Sequence, residues 1–194
     1  MATSPLDRPE SVWELARADA EAQFVSRGPP TEPEVPLVSA LARAASAHAG
    51  AGASGLVSLR LRQGLLIFSG PLSAAEDGAV VRLVELDPIS GRALVVGRSA
   101  PQQPTLPWLL HRAIPEASVA LIAPIAPPGA LADAALPAVS PSDFLRPSQW
   151  VRHLPALRAA GALRVGPRLL LWDRDGPSLL GLLSGGGERA AGGP

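Results

Sequence analysis

The sequence predicts an α+β fold in which a small antiparallel sheet is packed by short helices, with an N-terminal helix and a disordered C-terminal tail. Hydrophobic residues make up 47% of the 194-residue chain, which supplies enough apolar surface for a packed core. Between Gly55 and Gly97 apolar and polar residues alternate, as in strands that are buried on one face. Runs with helical spacing lie on both sides of this region.

The N-terminal helix is predicted because Trp13, Ala16, Ala20 and Phe24 recur at helical spacing before a Gly-Pro-Pro sequence ends the run. A linker rich in Pro and Glu follows, and proline favours extended backbone. We therefore expect three parts: a helix and linker over residues 1–35, a single α+β domain over 36–183, and a flexible Gly/Ala tail over 184–194.

Turn residues divide the central region into two hairpins. The first joins residues 57–61 to 65–68 through Gln63-Gly64, and the second joins 80–86 to 94–96 through an Asp-Pro-Ile-Ser-Gly turn. In the first hairpin, Ser58, Arg60 and Arg62 occupy the polar face. A helix over about residues 36–48 precedes these hairpins.

The remaining chain alternates short helices and strands. Thr105 is expected to cap a helix that carries Trp108, and residues 119–125 read as a strand buried on both faces. An Ala-rich helix is expected at 131–136, and Pro147 and Pro155 are expected to break the next helix into pieces. A hairpin over 162–165 and 169–172 leads into an apolar run at 179–183. Residues 157–172 repeat the helix–strand–glycine–strand order of residues 41–68. An internal duplication therefore stays open.

Composition excludes several kinds of partner. Seventeen basic residues, all of them Arg, balance seventeen acidic ones, so the chain has no overall field that would attract nucleic acid. Without cysteine it forms no disulfide or thiolate site. No apolar run approaches the length of a membrane helix. The chain is therefore predicted to be cytoplasmic, without nucleic-acid or membrane partners.

The sequence contains no pattern of catalytic or ligand-binding residues, so no catalytic residue, metal or cofactor is predicted. His48, His111 and His153 are scattered without metal-ligand spacing. Asp173 and Asp175 resemble the opening of a calcium loop, but no closing Glu follows, and a turn is expected there. A Ser/His/Asp set assembled by the fold stays open, because such triads are not contiguous in sequence.

Large aromatic and arginine side chains are the expected contacts for a protein partner, since these residue types dominate interface hot spots. The candidate interaction residues are Trp13, Phe24, Arg60, Arg62, Trp108 and Trp150. The oligomeric state is left open.

Three short segments resemble the small accessory domains encoded beside MoxR-type AAA+ ATPases and von Willebrand A proteins. They are Leu-Asp-Pro at 86–88, Pro-Trp-Leu-Leu at 107–110 and Val-Ala-Leu-Ile-Ala-Pro at 119–124. Residues 36–78 also resemble PATAN-type regulatory modules. Both resemblances imply a partner-binding role without catalysis.

The sequence therefore favours a non-enzymatic adaptor of a bacterial multi-protein system, with a protein partner. Two alternatives are a hydrolase with a fold-assembled Ser/His/Asp site and a self-assembling structural subunit.

Overall fold

The computed structural model describes residues 14–128, 131 and 134–184. The strands of the described residues are β1 (Glu21–Ser26), β2 (Ser54–Arg60), β3 (Leu65–Pro71), β4 (Val81–Asp87), β5 (Arg92–Val96), β6 (Val119–Ala123), β7 (Ala138–Val139), β8 (Ala162–Val165) and β9 (Arg168–Asp173). Their helices are α1 (Val35–Ala49), α2 (Thr105–Ala113), α3 (Pro141–Phe144), α4 (Pro147–Ala160) and α5 (Gly176–Leu183).

The strands form one mixed sheet in the order β1-β5-β4-β3-β2-β6-β9-β8-β7. The pairs β1–β5 and β7–β8 are parallel, and the other neighbours are antiparallel. The α+β class is confirmed, but the prediction of a small antiparallel sheet is wrong. The two predicted hairpins and the C-terminal hairpin belong to one sheet because β6 lies between β2 and β9 and pairs with both.

Helices cover both faces of this sheet, giving three layers. We call one side the α1 face, where α1 and α5 pack on residues such as Val57, Phe68 and Leu121. We call the other the α2 face, where α2, α3 and α4 pack on residues such as Ile67 and Ile122. All five residues of β6 are buried, as a strand between two helical layers requires.

Several elements agree with the pattern of the sequence. The helix predicted over 36–48 is α1, and the three hairpins are β2–β3, β4–β5 and β8–β9. The turn at Asp175 is also as expected, because its side chain accepts from the amide of Ser178 and caps α5. These elements were predictable because local turn and cap chemistry determines them.

The predicted N-terminal helix is wrong from Ala16 onward, because residues 21–26 form strand β1. Ala22 and Phe24 are half-buried while Glu21, Gln23 and Val25 are exposed, which is the two-residue period of a strand. Parallel pairing with β5 supplies the backbone hydrogen-bond partners. A tertiary contact therefore overrides the helical spacing, and Trp13 lies outside the described residues.

Proline does not break α4, which is a second correction. Pro147 begins the helix and Pro155 lies inside it on the exposed side. Pro155 removes one backbone donor, but burial of Trp150, Leu154 and Leu157 on the opposite side holds the helix together. The Ala-rich helix predicted at 131–136 lies partly outside the described residues, and residues 134–136 are not helical.

The helix–hairpin repeat is present in secondary structure, as α1–β2–β3 and α4–β8–β9. The two units are placed differently, however. The first strand of one unit, β2, and the second strand of the other, β9, both pair with β6. Helix α1 lies on one face of the sheet and α4 on the other. A duplication stays a hypothesis.

Within the part of the chain that the structure describes, no helix is long and apolar enough to cross a membrane. The predicted tail is described only at Ser184.

Candidate functional site: an arginine-lined cleft on the α2 face

A cleft of about 380 Å³ opens where the β2–β3 hairpin, the middle of β4 and the last turns of α2 meet. Three arginines and one glutamate provide its charged side chains: Arg60, Arg62, Arg112 and Glu85. His111 at the base of the cleft is neutral near pH 7, because its pKa is lowered to about 4. The cleft therefore carries a net charge of about plus two. This contrasts with the chain as a whole, whose net charge is zero.

The hairpin turn forms one wall of the cleft. Gly64 has a φ of +89°, which L side chains rarely adopt, and its carbonyl accepts from the amide of Leu61. A methyl group at Gly64 would overlap the backbone carbonyl of Leu83. Glycine therefore lets the turn lie directly against β4, and Arg62 on the turn and Glu85 on β4 both line the cleft.

A bulge in β4 shapes the opposite wall. Leu83 pairs with Val95 and Glu85 pairs with Leu94, so β4 has one more residue than β5 at this point. As a result Leu83 and Leu86 both face the core, while Val84 and Glu85 are exposed. Bulges re-aim side chains and are common beside functional sites. Here the bulge places a carboxylate at the cleft.

A buried hydrogen-bonded pair forms the base of the cleft. Ser58 Oγ lies 3.0 Å from His111 Nε2, and His111 Nδ1 lies 3.0 Å from the carbonyl oxygen of Ala117. Because that carbonyl only accepts, Nδ1 carries the proton and Nε2 accepts from the hydroxyl of Ser58. The pKa of His111 is lowered from 6.5 to about 4, chiefly by burial; the hydrogen bond to Ala117 opposes this shift, and the nearby Arg60 charge makes a smaller lowering contribution. The imidazole is thus neutral near pH 7.

Arg60 links the sheet to the end of α2. Its guanidinium donates to the carbonyl of His111 at 3.2 Å and to the carbonyl of Pro115. Helix ends leave carbonyls without intrahelical partners and carry partial negative charge, which a cation stabilises. Two of the five guanidinium N–H groups are used in this way. Arg60 is therefore a fixed cation in the wall of the cleft.

The other charged side chains of the cleft are less restrained. Arg112 stacks on Trp108, with its Cζ 4.3 Å from the ring centroid. Arg62 and Glu85 are exposed, and among the described residues neither has a hydrogen-bond or ion-pair partner. Arg62 and Arg112 thus line the cleft without a hydrogen-bond acceptor in the described part of the chain.

Five of the six candidate interaction residues lie in the part of the chain that the structure describes. Arg60 and Arg62 line the cleft with Trp108. Trp150 has no exposed surface and packs edge-on against Phe144, so it is part of the core rather than a contact for a partner. Phe24 is half-buried in β1, with the Arg27 guanidinium 4.2 Å from its ring.

The expectation that β2 is buried on one face only is also wrong. Ser58 is fully buried because α2 covers the polar side of the hairpin. The arginine of β4, Arg82, lies on the α1 face, where it pairs with Glu32 at 2.6 Å. The sequence predicted the alternation of polar residues on β2, but it contained no signal that a helix would close over them.

The hydrolase alternative does not fit the three histidines. His111 reaches a hydroxyl, but its second nitrogen bonds a backbone carbonyl, and His48 bonds the carbonyl of Leu183. In the described ranges no histidine joins an acid to a hydroxyl, which a Ser/His/Asp set requires. Nor do His, Asp and Glu side chains there form any group of three or more that could hold a metal ion.

At the level of sequence, no family model and no curated protein matches the chain. Solved structures do share its fold. YgbL from Klebsiella pneumoniae, described as a putative aldolase/epimerase/decarboxylase, matches with a TM-score of 0.55 and 11% identity over 77% of this chain and 82% of its own. YgbL from Escherichia coli, of the same description, matches with a TM-score of 0.53 and 16% identity over 80% and 85%.

An aldolase II superfamily protein from Pseudomonas syringae matches with a TM-score of 0.53 and 11% identity, over 80% of this chain and 72% of its own. At such identities the likeness establishes the fold. The chain thus shares the fold of these three proteins.

This finding corrects two predictions. The resemblances to MoxR-associated accessory domains and to PATAN modules are wrong, since the structural neighbours are of another kind. The non-enzymatic adaptor is corrected on the same ground, because the solved proteins of this fold carry the names of enzymes. Neither the hydrolase nor the self-assembling subunit matches them.

Proposed function

We propose that the protein is an enzyme that makes or breaks a bond to a carbon atom next to a carbonyl group, with its substrate bound in the arginine-lined cleft. The observation that carries the proposal is that one small cavity is lined both by the carboxylate of Glu85 and by the guanidinium groups of Arg60, Arg62 and Arg112. The fold supports it, because related structures are described as aldolase/epimerase/decarboxylase proteins.

Aldol cleavage, epimerisation and decarboxylation beside a carbonyl share one electronic feature. Each leaves an electron pair on carbon, which is delocalised onto the carbonyl oxygen as negative charge. Donors that are already fixed in position stabilise such charge best. Arg60 meets this condition, because two backbone carbonyls hold its guanidinium in the cleft wall, and among the described residues its remaining side-chain N–H groups have no acceptor.

Glu85 is the residue that can move a proton in this cleft. In the simplest step its carboxylate takes the proton from the carbon, the C–H bond breaks, and the electron pair moves to the carbonyl oxygen. His111 does not take this role, since its Nε2 already accepts from Ser58 and its ring is 4% exposed. Its part is to hold α2 against β2 and thereby to set the position of Arg60.

A metal ion can also stabilise an enolate oxygen, but it needs several converging ligands. The described residues provide no such group, so they do not fit a metal site. The proposal therefore assigns the stabilising charge to the guanidinium groups.

Exchange of the carbon-bound proton tests the proposal. Wild-type protein is incubated in deuterated buffer with a panel of short hydroxy-aldehydes, hydroxy-ketones and oxo-acids, and loss of the proton signal is followed by NMR. We expect exchange with at least one compound. In Glu85→Gln the exchange rate should fall by a factor of about a hundred or more, since a positioned base contributes at least about that factor. Glu21→Gln, which alters an exposed glutamate of β1, is the matched control and should exchange at the wild-type rate.

Two outcomes would contradict the proposal: no exchange with any compound of the panel, or equal rates in Glu85→Gln and wild type. The domain boundaries, the cytoplasmic location and the protein partner stay predictions.

A further inference from the structure

We propose that the substrate carries an anionic group, a phosphate or a carboxylate, and that Arg62 and Arg112 bind it. This rests on the proposed function, since it names the substrate class of the same cleft. It adds a division of labour among the three arginines that their contacts support.

The first step in the argument is the use of Arg60. Its guanidinium already serves two carbonyls at the end of α2. An oxyanion that replaced these contacts would leave the helix end without its cation. Arg60 is therefore committed to the fold and to one fixed direction.

Arg62 and Arg112 differ in this respect. Within the described ranges Arg62 has no acceptor, and Arg112 has only the face of Trp108. A guanidinium is a planar fork of N–H donors that matches the oxygens of carboxylate and phosphate. One lies on the hairpin turn and the other on the last turn of α2, so they approach the cleft from two sides.

The charge of the cleft favours the same ligand. One glutamate against three arginines leaves an excess of positive charge in a cavity whose walls include Leu65, Leu83 and Leu86. Low-dielectric walls strengthen the attraction of such a cavity for an anion. A cationic or uncharged substrate would leave this charge uncompensated.

Calorimetric titration with two probes tests the inference: inorganic phosphate as a tetrahedral anion and oxalate as a planar carboxylate. We expect saturable binding of at least one probe by wild-type protein. Arg62→Ala and Arg112→Ala should each weaken it about tenfold or more, as loss of a charge-assisted hydrogen bond predicts. Arg168→Ala, which removes an exposed arginine of β9, should bind like wild type. The probe that binds more tightly indicates whether the anionic group of the substrate is a phosphate or a carboxylate.

Tryptophan fluorescence provides a second readout. Binding should draw Arg112 from the ring of Trp108 and change the emission, and this change should be absent in Trp108→Phe. The inference is overturned if wild-type protein binds neither probe, or if Arg62→Ala and Arg112→Ala bind as wild type does.

Failure of the proposed function gives a different result. Anion binding that depends on these arginines, without proton exchange, would contradict the proposed enzyme activity but support the anion-binding site. The opposite result is proton exchange on uncharged substrates that depends on Glu85 and is unaffected by Arg62→Ala and Arg112→Ala. It would support the proposed enzyme activity and overturn the inference.

Discussion

The buried His111 makes a prediction about pH that can be worked out from the structure. In the folded protein the pKa of His111 is lowered from 6.5 to about 4, chiefly by burial. Between these two values the unfolded chain binds a proton that the folded chain does not, so stability falls as the pH falls through this window. Above pH 6.5 this contribution is fully present, and below about pH 4 it is lost. A difference of about 2.5 pKa units corresponds to about 3 kcal/mol.

Chemical denaturation from about pH 7.5 to about pH 4.5 measures this effect. Wild-type protein should lose most of the 3 kcal/mol over that range, and His111→Gln should show a much flatter profile because nothing titrates at that position. Gln23→Ala, which alters an exposed residue of β1 without a titrating group, is the control and should keep the wild-type slope. The carboxyls of Asp87 and Glu116 have lowered pKa values, owing mainly to hydrogen bonds, and titrate below this window.

Parallel pH profiles for wild type and His111→Gln would refute the reasoning. An NMR titration of the wild-type imidazole gives an independent check that does not need the variant to fold. A midpoint for His111 near 6.5 would show that the ring is not buried as a neutral acceptor for the Ser58 hydroxyl.

Three further changes, with Gly181→Ala as a control, test the packing around the sheet by denaturant melts. Gly64→Ala should cost more than about 1 kcal/mol, since its new methyl group meets the Leu83 carbonyl at a positive φ, whereas Gly181→Ala, in open space on α5, should be neutral or stabilise by up to about 1 kcal/mol. Asp175→Ala removes the cap of α5 and should cost about 0.5–2 kcal/mol. Trp150→Ala empties a fully buried site and should cost about 3–5 kcal/mol; a loss below about 1 kcal/mol there would contradict the assigned core.

The sequence was most informative where local chemistry determines the structure. Turn residues predicted the β2–β3 and β4–β5 hairpins, and apolar residues on both faces predicted that β6 is buried. It was least informative about β1. The apolar residues of this segment have helical spacing, and only the backbone hydrogen bonds with β5 make it a strand. It also did not indicate that β6 joins the two halves into one sheet, because strand order depends on contacts between residues far apart in the chain.

The candidate site was predictable only in part. Arg60 and Arg62 were identified as interaction residues from the alternation of polar and apolar residues over 57–62, and Trp108 from its place on a helix. Glu85 was missed as a site residue because a bulge, which leaves no clear mark in the sequence, turns it toward the cleft. His111 looked isolated, since its partner Ser58 is 53 residues away in the chain.

The location of a bound anion tests the central claim, that this cleft is the substrate site, most directly. Backbone amide shifts can be followed by NMR while inorganic phosphate is added to the wild-type protein. We predict that the largest changes fall on the hairpin turn at residues 61–65, on Glu85 and on the last turns of α2. Changes centred instead on Arg98, beside the separate hollow between residues 29–36 and 76–78, would contradict the account.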